Sequence, residues 1–188
     1  MILAHFLTEV NEANMYVVAC PESRKALLID AACFDRRIEM FIEEHHLMLE
    51  GVFITHDHYD HTGGVQDILR CHDARVYAGK DSIDGISAQA VRQDDKIIVG
   101  HLEGRVVELP GHIPYSVGLV FPGVVFTGDA LFAGSIGGTA SERDRALEIE
   151  YIQKHVFILA ETCRIYPGHG PARSEERRVG KECIAVCR

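Results

Sequence analysis

Gly51-Val52-Phe53-Ile54-Thr55-His56-Asp57-His58-Tyr59-Asp60-His61-Thr62-Gly63-Gly64 sets an apolar run directly against three histidines and their acidic neighbours, then ends in two glycines. The apolar run reads as a strand. In extended backbone beyond it, His56 and His58 point the same way because the side-chain period is two. Asp60 and His61 project as a second pair once the chain bends. Imidazole and carboxylate donors suit Zn, Mn or Fe better than Mg or Ca. A single buried histidine is an ordinary packing residue. Three histidines and an aspartate of ligand type within the seven residues from Thr55 to His61 have no such bland account.

Further landmarks follow strand-like runs in order. Pro110-Gly111-His112 comes after Arg105-Val106-Val107-Glu108-Leu109. Thr127-Gly128-Asp129 comes after Gly123-Val124-Val125-Phe126. Tyr166-Pro167-Gly168-His169-Gly170-Pro171 comes after Cys163-Arg164-Ile165. Each alone is a turn signal. In this order behind the dense stretch, they resemble the metallo-β-lactamase superfamily. Gly128-Asp129-Ala130-Leu131-Phe132-Ala133-Gly134-Ser135 resembles its glyoxalase II-like hydrolases, especially their short single-domain members. The resemblance covers nearly all of residues 1–172.

It implies an α/β fold, an αββα sandwich of two mixed β-sheets packed face to face with helices on the outer faces. It also implies two divalent metal ions, with Zn the best fit and Fe or Mn as alternatives. His56, His58 and His112 would hold one ion and Asp60, His61 and His169 the other, with Asp129 bridging. A catalytic zinc keeps a position open for water, and a close pair lowers the pKa of shared water while polarising a carbonyl. The implied function is a dinuclear metal-dependent hydrolase of a thioester or other small ester-like bond, working through a metal-bridging hydroxide. Asp60 and Asp129 are the catalytic carboxylates of that reading, Asp60 able to accept a proton or orient the hydroxide as well as bind metal. Asp30, which ends Leu27-Leu28-Ile29-Asp30, resembles an aspartate that supports ligand histidines; it also reads as a polar residue ending a strand. Tyr115 follows His112 closely enough to reach a substrate, or to pack beside Pro114.

Two other function classes stay open: a mononuclear iron persulfide dioxygenase using His56, His112 and Asp129, and a catalytically silent binding module. Metal content separates them. Two departures bear on the substrate. The last ligand stands in Gly168-His169-Gly170-Pro171 where full-length glyoxalase II enzymes have Gly-His-Glu-Tyr, and Gly137-Gly138-Thr139-Ala140 stands where many relatives carry Arg-Thr-Asp. With no added helical domain before residue 172, these weigh against a glutathione thioester as the preferred substrate.

Composition agrees with a folded enzyme. The chain has 188 residues, 47% hydrophobic and 25% charged, which suits one domain with a substantial core. A net charge of −9 and the lack of a basic run argue against nucleic acid as a partner. No apolar run approaches a membrane span, and the N-terminus lacks a basic region followed by an apolar stretch. Cys20, Cys33, Cys71 and Cys163 are scattered without paired spacing, so they read as reduced packing thiols in a cytoplasmic protein. The expected partner is a small-molecule substrate; the sequence does not fix oligomeric state. His5, His45, His46, His72, His101 and His155 match no motif and read as surface or packing residues.

Residues 173–188 are set apart. Arg173-Ser174-Glu175-Glu176-Arg177-Arg178-Val179-Gly180-Lys181-Glu182-Cys183 resembles the translation of a widely used DNA sequencing adapter and is excluded from fold reasoning. The domain is therefore taken as 1–172, with its native C-terminus expected to lie elsewhere.

Periodicity predicts strands at 1–7, 14–20, 25–30, 51–55, 75–78, 97–99, 105–109, 117–121, 124–127 and 164–166. It predicts helices at 34–46, at 62–71 with Thr62 as its cap, and at 141–156 with Ala146, Ile149, Ile152 and Gln153 near one face.

Overall fold

The run Asn14–Ala19 is buried at all six of its positions, and the reason orders the whole molecule. Alternate side chains leave a strand on opposite faces. Met15, Val17 and Ala19 enter one apolar cluster, while Tyr16 and Val18 enter another. A strand covered on both faces reads as a continuous apolar run and not as an alternating one.

The computed structural model describes residues 1–172. The tail set apart by sequence, 173–188, lies outside the described residues. The first half forms β1 (Ile2–Leu7), β2 (Asn14–Ala19), β3 (Lys25–Ile29), α1 (Arg36–Glu44), β4 (Met48–Ile54), α2 (Tyr59–Thr62), α3 (Val65–Cys71) and β5 (Arg75–Ala78). A small hairpin of β6 (Ser82–Ile83) and β7 (Ile86–Ser87) precedes β8 (Gln89–Ala90). The second half forms β9 (Lys96–Val99), β10 (Leu102–Glu108), β11 (Val117–Phe121), β12 (Val124–Gly128), a hairpin of β13 (Leu131–Phe132) and β14 (Ser135–Ile136), α4 (Glu142–His155) and β15 (Arg164–Pro167).

One sheet runs β1-β2-β3-β4-β5-β8 and the other β15-β12-β11-β10-β9. Both are mixed: β3, β4, β5 and β8 pair in parallel, as do β12 and β15, and the remaining neighbours are antiparallel. The layer between the sheets holds Tyr16, Phe53, Phe121 and Phe126 among branched aliphatics. Emptying one such ring, as in Phe126→Ala, costs about 3–5 kcal/mol. The outer face of the first sheet packs on Ile38 and Ile42 of α1 and on Val65 and Ile68 of α3. The outer face of the second packs on Ile152 of α4 and on Val156. The architecture is the αββα sandwich. Among the described residues, no helix is long and apolar enough to cross a membrane.

Three local expectations change. The helix predicted at 62–71 is two: Thr62 closes α2, and α3 starts after Gly64 with no side-chain cap. Thr62 instead donates to the carbonyl of His58 and to Asp84. The buried face of α4 is Glu148, Ile152 and His155, while Ala146 and Gln153 are exposed. Ser141 caps α4 by accepting from the Asp144 N–H at 3.1 Å.

Parallel pairing decides where the loops collect. Residues that follow parallel neighbours leave the sheet at the same end. Asp30 after β3 therefore lies beside the His56 stretch after β4, and Asp129 after β12 beside His169 after β15. The two sheets meet at this end, where the Val117 N–H donates to the Thr55 carbonyl at 2.8 Å.

Candidate metal centre

Beyond β4 the chain stays extended through His58 and then turns into the single helical turn α2, with the His61 N–H donating to the His58 carbonyl. This sets His56 and His58 to one side and Asp60 and His61 to the other. His58 Nδ1 lies 3.1 Å from His56 Nε2 and 3.1 Å from His112 Nε2. Across the cleft His61 Nε2 and His169 Nε2 are 3.3 Å apart, and His169 Nε2 is 3.5 Å from Asp60 Oδ2. Asp129 lies between the groups. Its Oδ2 is 3.7 Å from His56 Nε2, 3.8 Å from His112 Nε2 and 3.5 Å from His169 Nε2, and its Oδ1 is 3.4 Å from His61 Nε2. All seven candidate ligands named from the sequence thus meet in one cleft, as the groups His56/His58/His112/Asp129 and Asp60/His61/His169.

The donor set and spacing fit a metal. Ligands about 2.0–2.1 Å from a tetrahedral ion stand roughly 3.3 Å from one another, which is the separation of these nitrogens. Hydrogen bonding does not explain the packing, because His58 Nδ1 faces two imidazole nitrogens with at most one proton to give. Asp129 Oδ1 is buried with no hydrogen-bond partner. An unpaired buried carboxylate oxygen is costly and is the atom a cation would satisfy. Burial, then the neighbouring His61, His112 and His58 rings, keep His56 far below its ordinary pKa. Burial and His112 likewise lower His58. Both are therefore held in the neutral form that binds metal.

His61 is held differently. Burial opposes its charge, but the charge of Asp30 and the hydrogen bond to it outweigh that and raise its pKa. The His61 Nδ1–H donates to Asp30 Oδ2 at 2.8 Å, which aims Nε2 into the cleft. Asp30 also accepts from the Thr55 N–H and hydroxyl, and sits at φ +56. His112 Nδ1–H donates to the Gly138 carbonyl at 2.7 Å. At Gly168, a Cβ would fall 2.0 Å from Asp129 Oδ1 and 2.7 Å from His61 Cε1, so only glycine lets this turn approach the cleft.

The structure adds residues that sequence patterns missed. Asn11, at φ +50, donates to Asp60 Oδ2 at 3.0 Å; no motif marks it. Lys80 pairs with Asp57 near the cleft. Glu148 of α4 is fully buried with neither carboxylate oxygen paired, and burial raises its pKa to about 8. Its helical position on a buried face was the available signal. Tyr115 is 56% exposed and lines a cavity of about 290 Å³ with Arg92, Ser116 and Tyr151.

Residues 8–87 match the profile of the metallo-beta-lactamase superfamily. Over 139 residues the chain is 37% identical to a hydroxyacylglutathione hydrolase of Alkalilimnicola ehrlichii, covering 70% of this chain and 52% of that protein. Over 176 residues it is 32% identical to a hydroxyacylglutathione hydrolase of Cupriavidus metallidurans, covering 86% and 65%. The chain spans about half the length of several such relatives. Among solved structures it matches ETHE1 from Myxococcus xanthus at TM-score 0.87 and 27% identity, over 98% of this chain and 85% of that one. It matches a metallo-beta-lactamase from Staphylococcus aureus at TM-score 0.82 and 25% identity, over 90% and 55%.

Proposed function

We propose, for a chain that belongs to the metallo-β-lactamase superfamily, that it is a dinuclear metal-dependent hydrolase of a thioester or other small ester-like bond. The observation that carries this reading is the place of Asp129, one carboxylate between the two groups, with Oδ2 facing His56, His112 and His169 and Oδ1 facing His61. His56, His58 and His112 would hold one ion, Asp60, His61 and His169 the other, and Asp129 both. Neutral imidazole with carboxylate suits zinc best, with iron or manganese as alternatives. When bound, such a pair polarises a scissile carbonyl and lowers the pKa of water toward neutrality.

The chain's own groups supply the rest. Asp60 offers a buried carboxylate in the cleft to hold a released proton, and the Asn11 amide fixes its Oδ2. Asp30 and the Gly138 carbonyl fix the rings of His61 and His112, so little reorganisation accompanies reaction. Tyr115, exposed in the loop after His112 and lining the cavity with Arg92 and Tyr151, contacts substrate. The hydroxyacylglutathione hydrolase relatives favour a thioester as the first class to test.

Metal analysis of the purified chain, beside hydrolysis rates on a panel of small thioesters, tests this reading. Two ions per chain with turnover support it. A single iron with oxygen consumption on a persulfide would replace it with the mononuclear reading on His56, His112 and Asp129. A metal-replete protein silent on both would leave only a binding role.

A further inference from the structure

At the opposite end of the sandwich, the β2–β3 turn and the β9–β10 turn press together. Gly100 makes this possible. It sits at φ +62, and a Cβ there would fall 1.8 Å from Ser23 Oγ and 2.8 Å from Cys20 Cβ. The close approach sets His101, the next residue, against Cys20 and Glu22. The Cys20 sulfur, a Glu22 carboxylate oxygen and a His101 ring nitrogen all lie within 4.8 Å of one another. Cys20 and Glu22 share the β2–β3 turn of the first sheet, and His101 comes from the second, about eighty residues on.

We propose that Cys20, Glu22 and His101 form a second metal site, separate from the His/Asp cluster, that takes a borderline-soft divalent cation of the zinc type. Cys20 directly follows the strand that begins at Asn14, whose amide donates to the carbonyls of Pro167 and Gly170 beside the His/Asp cluster. Six strand residues at about 3.3 Å each separate the two places by roughly 20 Å. One ion cannot serve both.

The chemistry of the three groups selects the ligand. Thiolate, imidazole and carboxylate are the donors zinc takes, whereas magnesium and calcium take oxygen. Three protein ligands leave a further position for water. The Cys20 residue is 1% exposed, while the side chains of His101 and Glu22 are 69% and 71% exposed. The thiol is therefore the floor of a site that opens outward. A thiol serving only as packing faces hydrocarbon. This one faces a hydroxyl, an imidazole and a carboxylate. The Ser23 hydroxyl first, then the backbone N–H groups of Ser23, His101 and Glu22, pull it down to about 6. These contacts favour the thiolate, the form that binds metal. His101 Nδ1 lies 2.7 Å from Glu22 Oε2, so these two groups already converge. A bound cation would staple the first sheet to the second at the end away from the catalytic cleft.

Cobalt(II) supplies the test. The His/Asp cluster contains no sulfur, so a thiolate-to-cobalt charge-transfer band in the near ultraviolet reports a cysteine site, and its loss in Cys20→Ser assigns it to Cys20. The full chain is used with Cys33→Ser, Cys71→Ser, Cys183→Ser and Cys187→Ser, which removes the accessible thiols of the described residues and those outside them. The expected result is a thiolate band that saturates with one more cobalt per chain than the Cys20→Ser variant binds, and that Cys20→Ser abolishes. His101→Ala changes an exposed side chain in a turn and is not expected to impair folding. It should weaken cobalt binding at this site by at least about tenfold, with thioester hydrolysis unchanged. No thiolate band, a band that survives Cys20→Ser, or a cobalt affinity indifferent to His101→Ala would overturn the proposal. No thioester hydrolysis by the unsubstituted chain, with the band intact, counts against the hydrolase reading and leaves this site standing.

Discussion

His61 is fully buried, and the carboxylate of Asp30 holds its Nδ1–H. His112, across the cleft, is partly exposed, and the main-chain carbonyl of Gly138 holds its Nδ1–H. The same task, fixing a ring so that the other nitrogen faces the cleft, is done in one half by a charged side chain and in the other by backbone. The difference follows from the chain path. The first half delivers four candidate ligands from one stretch after β4, with Asp30 emerging beside it from β3. The second half delivers single ligands from three strand ends, and at His112 the group that fixes the ring is loop backbone. Ligand orientation should therefore be open to side-chain substitution on one side of the cleft and insulated from it on the other.

Asp129 is where the two halves join, so its loss breaks the comparison outright. Asp129→Ala should reduce bound metal from two ions toward one, because His56, His58 and His112 still form a triplet while the other loses its shared carboxylate. Turnover on a thioester should fall by more than about a hundredfold, beyond what losing a supporting partner costs. Mass-spectrometric metal counting with rate measurement checks both. Two retained ions and near-normal turnover would remove Asp129 from its joining role.

Asp30 tests the side-chain half. Asp30→Ala leaves the buried His61 Nδ1–H and the Thr55 donors unpaired, and should destabilise the fold by about 2–5 kcal/mol. Asp30→Asn keeps an acceptor and tolerates the left-handed backbone at φ +56. It should fold but bind metal about 10–100-fold more weakly. Gly138→Ala tests the backbone half. A Cβ at Gly138 meets nothing within 4 Å, and the carbonyl remains, so metal affinity should hold within about threefold. Titrating the apo proteins with zinc against a competing chelator compares the three. Equal losses from Asp30→Asn and Gly138→Ala would erase the distinction.

The same contrast governs what the sequence discloses. The stretch from His56 to His61 is legible because its ligands are adjacent and a strand period orients them. His112, Asp129 and His169 carry weak local signals and become readable only through their order and the family it resembles. The fold was legible for a related reason: strands covered on both faces, such as β2 and β12, stand out as continuous apolar runs. What was lost depends on packing between distant segments. Asn11 reaches Asp60 across 49 positions. Cys20 and His101, read as packing and surface residues, meet only because two turns from different sheets touch. On α4, the apolar residues Ala146 and Ile149 suggested one face, whereas the face that packs includes the acid Glu148.

Glu148 gives a smaller effect with a definite sign. Its carboxyl is buried beside the Gly137 turn, next to His112, and burial lifts it from 4.5 to about 8. The folded state keeps a proton there that the unfolded state releases above about 4.5. Stability from this group is thus full in acid and is lost as pH rises through about 8. Glu148→Gln keeps the shape without an ionisable proton. The metal-free variant should gain on wild type between pH 5 and pH 8.5, at about 2–4 °C in Tm per kcal/mol. A stability difference that stays flat with pH would show that Glu148 is ionised in the fold.

Tyr115→Phe should have the smallest effect, and it sharpens the comparison on the substrate side. Tyr115 belongs to the second half, close behind His112, yet it approaches none of the candidate ligands. Its ring is 56% exposed and borders the cavity shared with Arg92 and Tyr151. Removing only the hydroxyl leaves the ring's packing and the loop backbone in place, so metal content and Tm should not move. If the phenol hydrogen-bonds substrate in both ground and transition states, KM rises and kcat is constant, the pattern of lost uniform binding. One exposed neutral hydrogen bond contributes about 0.5–1.5 kcal/mol, which corresponds to a rise in KM of roughly two- to tenfold. Steady-state kinetics on the best thioester, with metal counting on the same samples, reads both. A fall in kcat with KM unchanged would instead place the phenol in the reacting step. A loss of metal would mean that the loop after His112 is not insulated from its own side chains, and the contrast between the two halves would fail on the side where it is drawn most strongly.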